Sequence, residues 1–409
     1  MATSKLPGII DAISVYAAEM TSWRRDIHAH PETAFVEHRT AALVAERLAS
    51  FGLEVTTGLA TTGVVGTLQG RESGPSIALR ADLDALHMTE ENDFDHRSTH
   101  AGRMHACGHD GHTTMLLGAA RYLAESRRFA GTVHFIFQPA EENEGGGRVM
   151  VEEGLFERFP VEQVFGLHNW PWLPAGEMAV HVGPVMAAAD RFDVVVEGRG
   201  GHGAMPHQCV DPVVVAAQII TAFQTIASRT VCPTDSAVVS VTRVDAGETY
   251  NVIPARARLA GTTRSFSPLV QDRIEARMRE IVDGICAAHG TEGTLEYRRG
   301  YPATINDPLA AEWAGKAAAS VVGDAHVHRG LPPSTGAEDF AYLANARPGC
   351  YVWLGTGTGT ETPGLHHPHY DFNDDMLPVG ASYWARLVER RLPLTLGSAP
   401  AEGTSVPAV

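Results

Sequence analysis

The stretch SIALRAD at residues 76–82 is followed by MHACGHDGHTTMLLGAARYLAES at 104–126 and by TVHFIFQPAEE at 132–142. The first and third pieces open with short apolar runs of the kind that forms buried strands. The middle piece has the pattern of a helix, expected from about residue 110. A strand, a helix and a strand in this order predict an α/β fold with a largely parallel sheet.

The same alternation continues on both sides of this stretch. Further strands are predicted at 63–68, 163–167 and 350–354, and further helices at 9–29, 36–51, 308–321 and 378–391. At 409 residues the chain exceeds the size at which one hydrophobic core stops growing, so we expect two domains.

Residues 187–300 have a different pattern, in which strands and helices follow the order β-α-β-β-α-β. Asp211 is placed as the N-cap of one of these helices, with Pro212 at its first position. The order is that of a split βαβ, ferredoxin-like unit, which we expect to be inserted into the larger domain. The predicted domains are therefore a discontinuous one at 1–186 and 301–396, an inserted one at 187–300, and a disordered tail at 397–409.

Composition excludes several classes of function. A formal charge of −16 argues against nucleic-acid binding, which needs clustered basic residues. The five cysteines are odd in number and far apart, which fits a reducing compartment. The first 20 residues lack the apolar block of a signal peptide, and no run of about 18 apolar residues predicts a membrane span. We expect a cytoplasmic enzyme without a membrane partner.

Candidate metal ligands follow the predicted strands at the point where each strand ends. In open α/β sheets, sites form beyond the carboxyl ends of the strands, so these groups are expected at one rim. Each of them has an ordinary explanation by itself, as a loop histidine, a buried cysteine or a solvated carboxylate. The groups come from five separate stretches: Asp82, the segment 104–112, Glu141-Glu142, His168 and His366-His367.

The expected ligand set is one thiolate, one carboxylate and three imidazoles. Five ligands exceed a single tetrahedral zinc site that keeps an open position, but they suit two ions that share a bridging group. One of the two adjacent glutamates is then left over, and a metallohydrolase needs such a carboxylate as the general base for water.

Several longer motifs make the chain resemble the aminoacylase/hippurate hydrolase family of two-metal peptidases. The resemblance extends from about Arg24 to about Met376 and implies an aminopeptidase-like three-layer catalytic domain with an inserted lid and dimerisation domain. The motifs are MHACGHDGH (104–112), QPAEE (138–142), GLHNW (166–170), GRGGHGAMPH (198–207), NVIP (251–254), GTTRSF (261–266), STGAEDF (334–340) and LHHPHYDFND (365–374).

The resemblance also implies the metal ligands. Cys107 would bridge the two ions, Glu142 and His366 would hold one ion, and His109 and His168 would hold the other. The sequence does not identify the metals, for which Mn²⁺ and Zn²⁺ are expected first and Co²⁺ and Ni²⁺ are alternatives.

By the same resemblance, Glu141 matches the general base and Asp82 the carboxylate that orients a metal-site histidine. His202 matches a histidine that reaches the scissile carbonyl from the partner subunit of a homodimer, or of a tetramer. Asn251 and Arg264 match residues that grip the free carboxylate of the substrate.

The expected activity is hydrolysis of the amide bond of N-acyl-L-amino acids. A dipeptidase or carboxypeptidase that uses the same centre is the alternative within hydrolases. A hydrolase with Cys107 as its nucleophile beside His109, and a metal-binding protein without catalysis, are the alternatives from other classes.

Overall fold

The computed structural model describes residues 6–395, so the tail predicted at 397–409 lies outside the described residues. The helices are α1 (Asp11–Val15), α2 (Ala17–Ala29), α3 (His38–Ser50), α4 (His109–Ser126), α5 (Gly146–Glu152), α6 (Leu155–Arg158), α7 (Pro212–Thr225), α8 (Pro268–His289), α9 (Pro308–Val322), α10 (Phe340–Ala346) and α11 (Leu377–Arg391).

The strands range in length from two to twelve residues. They are β1 (Glu54–Leu59), β2 (Gly63–Gln69), β3 (Glu72–Asp82), β4 (Ala130–Gln138), β5 (Gln163–Pro174), β6 (Met178–Val180), β7 (Gly183–Met186), β8 (Ala188–Glu197), β9 (Gly201–His202), β10 (Ala237–Ala246), β11 (Val252–Ile253), β12 (Arg256–Ser265), β13 (Glu292–Tyr301), β14 (Thr304–Asn306), β15 (Val327–His328) and β16 (Gly349–Gly357).

The chain divides into two compact units. Of the described residues, the first contains 6–180, Pro308–Arg329 and 346–395, and the second contains His181–Asp307 and Gly330–Asn345. The sequence placed residues 330–345 in the catalytic domain, whereas the structure groups them with the second unit. The reason is long-range backbone bonding, since Ser334 N–H donates to Val185 O at 2.9 Å and Ala187 N–H donates to Ser334 O at 3.1 Å.

The first unit is a mixed α/β structure around one large sheet. Its eight strands lie in the order β1-β2-β4-β3-β5-β16-β6-β15. The central strands β4, β3, β5 and β16 are parallel to one another, and antiparallel strands flank them. Parallel sheets of this kind are buried on both faces, which explains why β4 is a nearly continuous apolar run. The carboxyl ends of the central strands therefore meet at one edge of the sheet.

The second unit contains an antiparallel sheet with the strand order β10-β12-β8-β13. Along the chain these elements follow β8-α7-β10-β12-α8-β13, which is the predicted split βαβ order. Asp211 caps α7 by accepting the Val213 N–H at 2.9 Å, as its position before Pro212 predicts. Helix α8 ends at Gly290 in the left-handed conformation, with φ of 64°.

Within the described residues, one helical stretch, Pro212–Thr230, has the length and composition of a membrane-spanning helix. The buried residues of α7, which include Val215, Ile219 and Phe223, belong to the apolar core of the second unit. Core helices pass the same test of length and composition, so the stretch is weak evidence for a membrane span.

Candidate metal centre

The candidate ligands meet at the carboxyl edge of the central strands in the first unit. Cys107 precedes α4, and His109 is the first residue of that helix. Glu141 and Glu142 follow β4, His168 lies within β5, and His366 lies in the segment after β16. The six side chains form overlapping groups of three, and in each group the ligand atoms lie within 4.8 Å of one another.

Gly108 lies between Cys107 and His109 and allows the thiol and the imidazole of these two residues to face the same site. It adopts the left-handed conformation with φ of 90°. A Cβ atom on Gly108 would lie 2.3 Å from Asn169 Oδ1 and 2.7 Å from Tyr370 Oη, too close for any side chain. Both the conformation and the close approach therefore require glycine between Cys107 and His109.

The first group consists of Cys107, His109 and His168, all buried. The Nδ1 atom of His109 lies 2.8 Å from the Asp84 carbonyl, and that of His168 lies 2.7 Å from the Asn169 carbonyl. A carbonyl oxygen only accepts, so each imidazole donates from Nδ1 and directs its Nε2 into the site. His109 Nε2 is buried without a hydrogen-bond partner, and His168 Nε2 lies 3.4 Å from Cys107 Sγ.

The second group consists of Cys107, Glu142 and His366, so the two groups share the thiol. His366 Nε2 lies 3.2 Å from Glu142 Oε1. The His366 N–H donates to the Ala106 carbonyl at 2.8 Å, which ties this histidine to the residue before Cys107. His366 has φ of 62°, an unusual conformation for a residue with a side chain, and such conformations often occur at functional sites.

Glu141 is buried beside the second glutamate and belongs to a third group with His109 and Glu142. The carboxylate of Asp84 holds this pair, because Oδ1 accepts the Glu141 N–H at 3.0 Å and Oδ2 accepts the Glu142 N–H at 2.9 Å. The Asp84 carbonyl also accepts from His109. Sequence reasoning missed Asp84, although its position two residues after Asp82 was a signal for it.

Asp82 contacts a different histidine most closely. Its Oδ1 lies 2.6 Å from Nδ1 of His112, whereas its Oδ2 lies 3.8 Å from Nε2 of His109. The other ring nitrogen of His112 lies 3.0 Å from the backbone N of Asn169. Both nitrogens of His112 are therefore engaged by groups other than the candidate ligands, which separates it from His109 and His168.

The local electrostatics favour a bound cation. Burial, together with the carboxylates of Glu142 and Glu141, raises the pKa of the Cys107 thiol well above its usual range. Burial lowers the pKa of His109, but Asp82 and Asp84 outweigh this and raise it to about 10. Burial and His112 hold the pKa of His168 well below its usual range. A cation would relieve the crowding of acidic groups that otherwise raises the first two values.

The donor set fits divalent metal ions. Thiolate and imidazole suit zinc and neighbouring transition metals, and the carboxylate also suits manganese. The buried Nε2 of His109 has no hydrogen-bond partner, and a metal ion at this position would satisfy it.

The remaining predicted residues lie in the second unit. His202 and Asn251 are neighbours, because β9 pairs with β11 and the Gly203 N–H donates to the Asn251 carbonyl at 2.8 Å. Arg264 lies on β12, where Nε donates to the Thr335 carbonyl at 3.1 Å and Nη1 to the Thr263 carbonyl at 2.8 Å.

Residues 78–390 match the family model described as Peptidase family M20/M25/M40. The match covers most of the chain and includes every candidate metal ligand. The chain belongs to this family. It is accordingly a hydrolase of amide bonds, as the resemblance implied.

Relatives of this family member have several named activities. It is 39% identical to N-acetylcysteine deacetylase of Bacillus subtilis, over 92% of this chain and 97% of the relative. It is 38% identical to hippurate hydrolase of Campylobacter jejuni, over 95% and 99% of the two chains. It is 36% identical to thermostable carboxypeptidase 2 of Saccharolobus solfataricus, over 91% and 96%.

A solved structure of the M20 family has the same fold. It is the Bacillus subtilis YXEP protein, described as a dinuclear metal binding peptidase, with a TM-score of 0.82 and 36% identity over 93% of this chain and 99% of that one. The predicted α/β fold with its large, mainly parallel sheet is thereby confirmed.

Proposed function

We propose that this protein hydrolyses the amide bond of N-acyl-L-amino acids at a centre that holds two divalent metal ions. The observation that carries the proposal is the geometry of the two ligand groups. Cys107, His109 and His168 form one group and Cys107, Glu142 and His366 form the other, while Glu141 lies beside both as an additional carboxylate. This arrangement provides a bridging ligand, two terminal ligands for each ion and a general base.

In this proposal the two cations, when bound, polarise the acyl carbonyl and make water more acidic. The Glu141 carboxylate takes a proton from the attacking water and later delivers it to the departing amine. Asp84 fixes the backbone of Glu141 through the bond to its N–H. The Nδ1 bonds of His109 and His168 keep both rings in the tautomer that can bind a metal.

Residues of the second unit would bind the substrate. We propose that Arg264 and Asn251 grip its free carboxylate, and that His202 donates to the oxygen of the scissile carbonyl. A guanidinium group recognises carboxylates well because its N–H groups match their geometry. The second unit would then act as the lid and dimerisation domain, with His202 supplied by the partner subunit of a homodimer.

Carboxypeptidase activity is the second candidate, since the relative from Saccharolobus solfataricus bears that name. Both reactions cleave an amide beside a free carboxylate, and they differ in whether the acyl side is a simple carboxylic acid or an amino-acid residue. A cysteine nucleophile paired with His109 is less consistent with the site, because burial and the carboxylates of Glu142 and Glu141 raise the pKa of the Cys107 thiol well above its usual range. Such enzymes need a thiolate, which these surroundings disfavour.

The test is a hydrolysis screen with apo-protein to which Mn²⁺, Zn²⁺, Co²⁺ or Ni²⁺ is added. Substrates are N-acetyl, N-benzoyl and indole-acetyl amino acids, with dipeptides of matching C-terminal residue as the comparison. We expect release of the free amino acid from the N-acyl substrates, and loss of this activity on chelation. Faster cleavage of the dipeptides would favour the peptidase, and activity that survives chelation would exclude the metal centre.

We also propose an oligomeric state and a cellular location for the protein. The first is a homodimer, which mixed dimers of His202→Ala and Glu141→Gln chains would test by recovering part of the wild-type activity. The second is a cytoplasmic location, for which the support is chemical. All five cysteines lie within residues 6–395, and the structure shows them as free thiols, which fits a reducing compartment.

A further inference from the structure

Three tryptophans form a row beside the candidate metal centre in the first unit. The rings of Trp353 and Trp170 are stacked, with centroids 4.0 Å apart and planes 3° apart. Trp172 meets Trp170 at a centroid distance of 4.9 Å in an edge-to-face arrangement. Exposure increases along the row, from 2% at Trp353 to 61% at Trp172. The row therefore starts in the core and ends with an indole that is open to solvent.

The row lies next to both groups of candidate ligands. The Trp170 ring lies 6.3 Å from the ring of His168, a member of the first group. Trp172 packs against Gly364, two residues before His366 of the second group, and a Cβ on Gly364 would lie 3.1 Å from the indole atom Cζ2. The absence of a side chain at Gly364 thus lets the indole approach the segment that carries His366.

The backbone fixes the position of Trp172. It lies in β5, which pairs with β16 through Gly355 and Gly357. A Cβ on Gly357 would lie 2.4 Å from the Pro171 carbonyl, so the strands approach closely on either side of the tryptophan. Trp172 thus lies between two paired backbone positions, Trp170 with Gly355 and Pro174 with Gly357. An exposed indole held in this way offers an aromatic face at a small cost in conformational entropy.

We propose that Trp172 and Trp170 form the subsite for the acyl group, and that this subsite favours aromatic acyl groups such as benzoyl and arylacetyl over acetyl. The inference rests on the proposed function. A flat ring that packs against an indole gains from apolar burial and from edge-to-face or offset stacking, whereas an acetyl group is too small to gain much from either. Because the candidate ligand His168 lies on the same strand, an acyl group bound at this subsite would have its amide bond near the candidate metal centre.

The test compares N-benzoylglycine, N-cyclohexanecarbonylglycine and N-acetylglycine as substrates of the Mn²⁺-loaded protein. Trp172→Ala should lower kcat/KM for N-benzoylglycine about 10-fold or more, and should change that for N-acetylglycine less than about two-fold. Trp172→Phe should restore most of the loss. The cyclohexyl substrate, of similar size but without π electrons, separates stacking from apolar contact. Trp313→Ala, on α9, is the control for the loss of a tryptophan.

Binding provides a readout that does not depend on turnover. We expect benzoate to quench the tryptophan fluorescence of the wild-type protein and to bind Trp172→Ala at least about 10-fold more weakly. Equal losses for benzoyl and acetyl substrates, or equal benzoate affinity in the two proteins, would overturn the inference. If the wild-type protein hydrolyses none of the three substrates, the proposed function fails, and the benzoate measurement still decides on the subsite.

Discussion

Glu141 and Glu142 are adjacent in the chain, but we propose different roles for them. The Asp84 carboxylate accepts the backbone N–H groups of both residues and so fixes the backbone from which the two side chains extend. Glu142 lies with Cys107 and His366, and Glu141 lies with His109 and Glu142. One carboxylate would therefore bind an ion and the other would move protons.

Glu141→Gln should retain both metal ions and lower kcat by about 10³-fold or more, because it removes the base and no ligand. Metal content per chain, measured by mass spectrometry, and kcat test this together. Glu142→Gln is the matched variant and should lose metal as well as activity. If Glu141→Gln lost an ion while Glu142→Gln kept both, the two roles would be reversed.

At the scale of single residues, the sequence predicted which residue types gather at the site but not how each one is used. His109 and His112 lie three residues apart on α4, and the sequence alone does not show which of the two would bind a metal ion. Two hydrogen bonds of His112 distinguish it, one donated by its Nδ1 to Asp82 and one accepted from the backbone N–H of Asn169. They depend on three separate elements, α4, β3 and β5. The position of Asp84 after β3 marks it as a candidate, but its role cannot be read from the sequence, because it accepts backbone N–H groups, which every non-proline residue has.

At the scale of elements, the turn that precedes α4 is the most constrained piece of the centre. Gly108 combines a left-handed backbone with the close approach of Asn169 and Tyr370. Gly102, six residues earlier, also has a positive φ, of 74°, but a Cβ there would have no neighbour within 4 Å. Comparing Gly102 with Gly108 therefore separates two contributions to the free energy of unfolding: the strain of a left-handed backbone and the steric clash of a new Cβ atom.

Gly102→Ala should lower the free energy of unfolding of the apo-protein by about 1 kcal/mol, since only the conformation is strained. Gly108→Ala should lower it by about 3 kcal/mol or more, because the new methyl group also displaces Asn169 or Tyr370. Urea unfolding measures both values. Similar losses in the two variants would show that the close approach at Gly108 is relaxed easily.

Element positions were predictable where the apolar pattern was strong. The strand predicted at 132–138 is β4 at Ala130–Gln138, and the helix predicted at 308–321 is α9 at Pro308–Val322. Strand β1 was missed, since among its six residues only Leu59 is buried and the apolar signal is weak. The single helix predicted over residues 9–29 is divided into α1 and α2 at Tyr16.

At the scale of the whole molecule, a buried ionic network joins distant segments of the first unit. Arg24 pairs with Asp371 and Asp374 at 2.7 Å each and with Asp110 at 3.5 Å. His28, one turn further along α2, lies 2.8 Å from Asp110, the residue after a candidate ligand. The network thus ties α2 to the start of α4 and to the segment that follows His366.

His28 makes stability depend on pH. Glu90 faces it at 3.2 Å, and Arg24, His96 and His105 also lie nearby. Burial lowers the pKa of His28, but bonds to Asp110 and Glu90 outweigh this and raise it from 6.5 to about 9. Because the folded value exceeds the unfolded one, the stabilisation is complete below pH 6.5 and is lost as the pH rises through about 9.

The apo-protein should therefore lose on the order of 3 kcal/mol of unfolding free energy through this group between pH 6.5 and pH 9.5. His28→Gln should be less stable at the lower pH and should lack this part of the alkaline loss. His38→Gln, at an exposed position on α3, is the control and should follow the wild-type curve. Parallel curves for His28→Gln and the wild type would contradict the assigned role.

The division into two units was only partly visible in the sequence. The β-α-β-β-α-β order of residues 187–300 predicted the second unit, because strand and helix periods are local. Residues 330–345 have no such period, and long-range hydrogen bonds, such as those of Ser334 with Val185 and Ala187, place them there.

We propose hydrolysis at a centre of two ions that share Cys107. The decisive experiment is a titration of the apo-protein with Mn²⁺ in which metal content and N-acyl-amino-acid hydrolysis are followed in the same samples. We expect no turnover without metal, binding that saturates at two ions per chain, and a Cys107→Ser variant that binds fewer ions, whereas Cys232→Ser should match the wild type. Full activity without metal, or undiminished metal content and activity in Cys107→Ser, would contradict it.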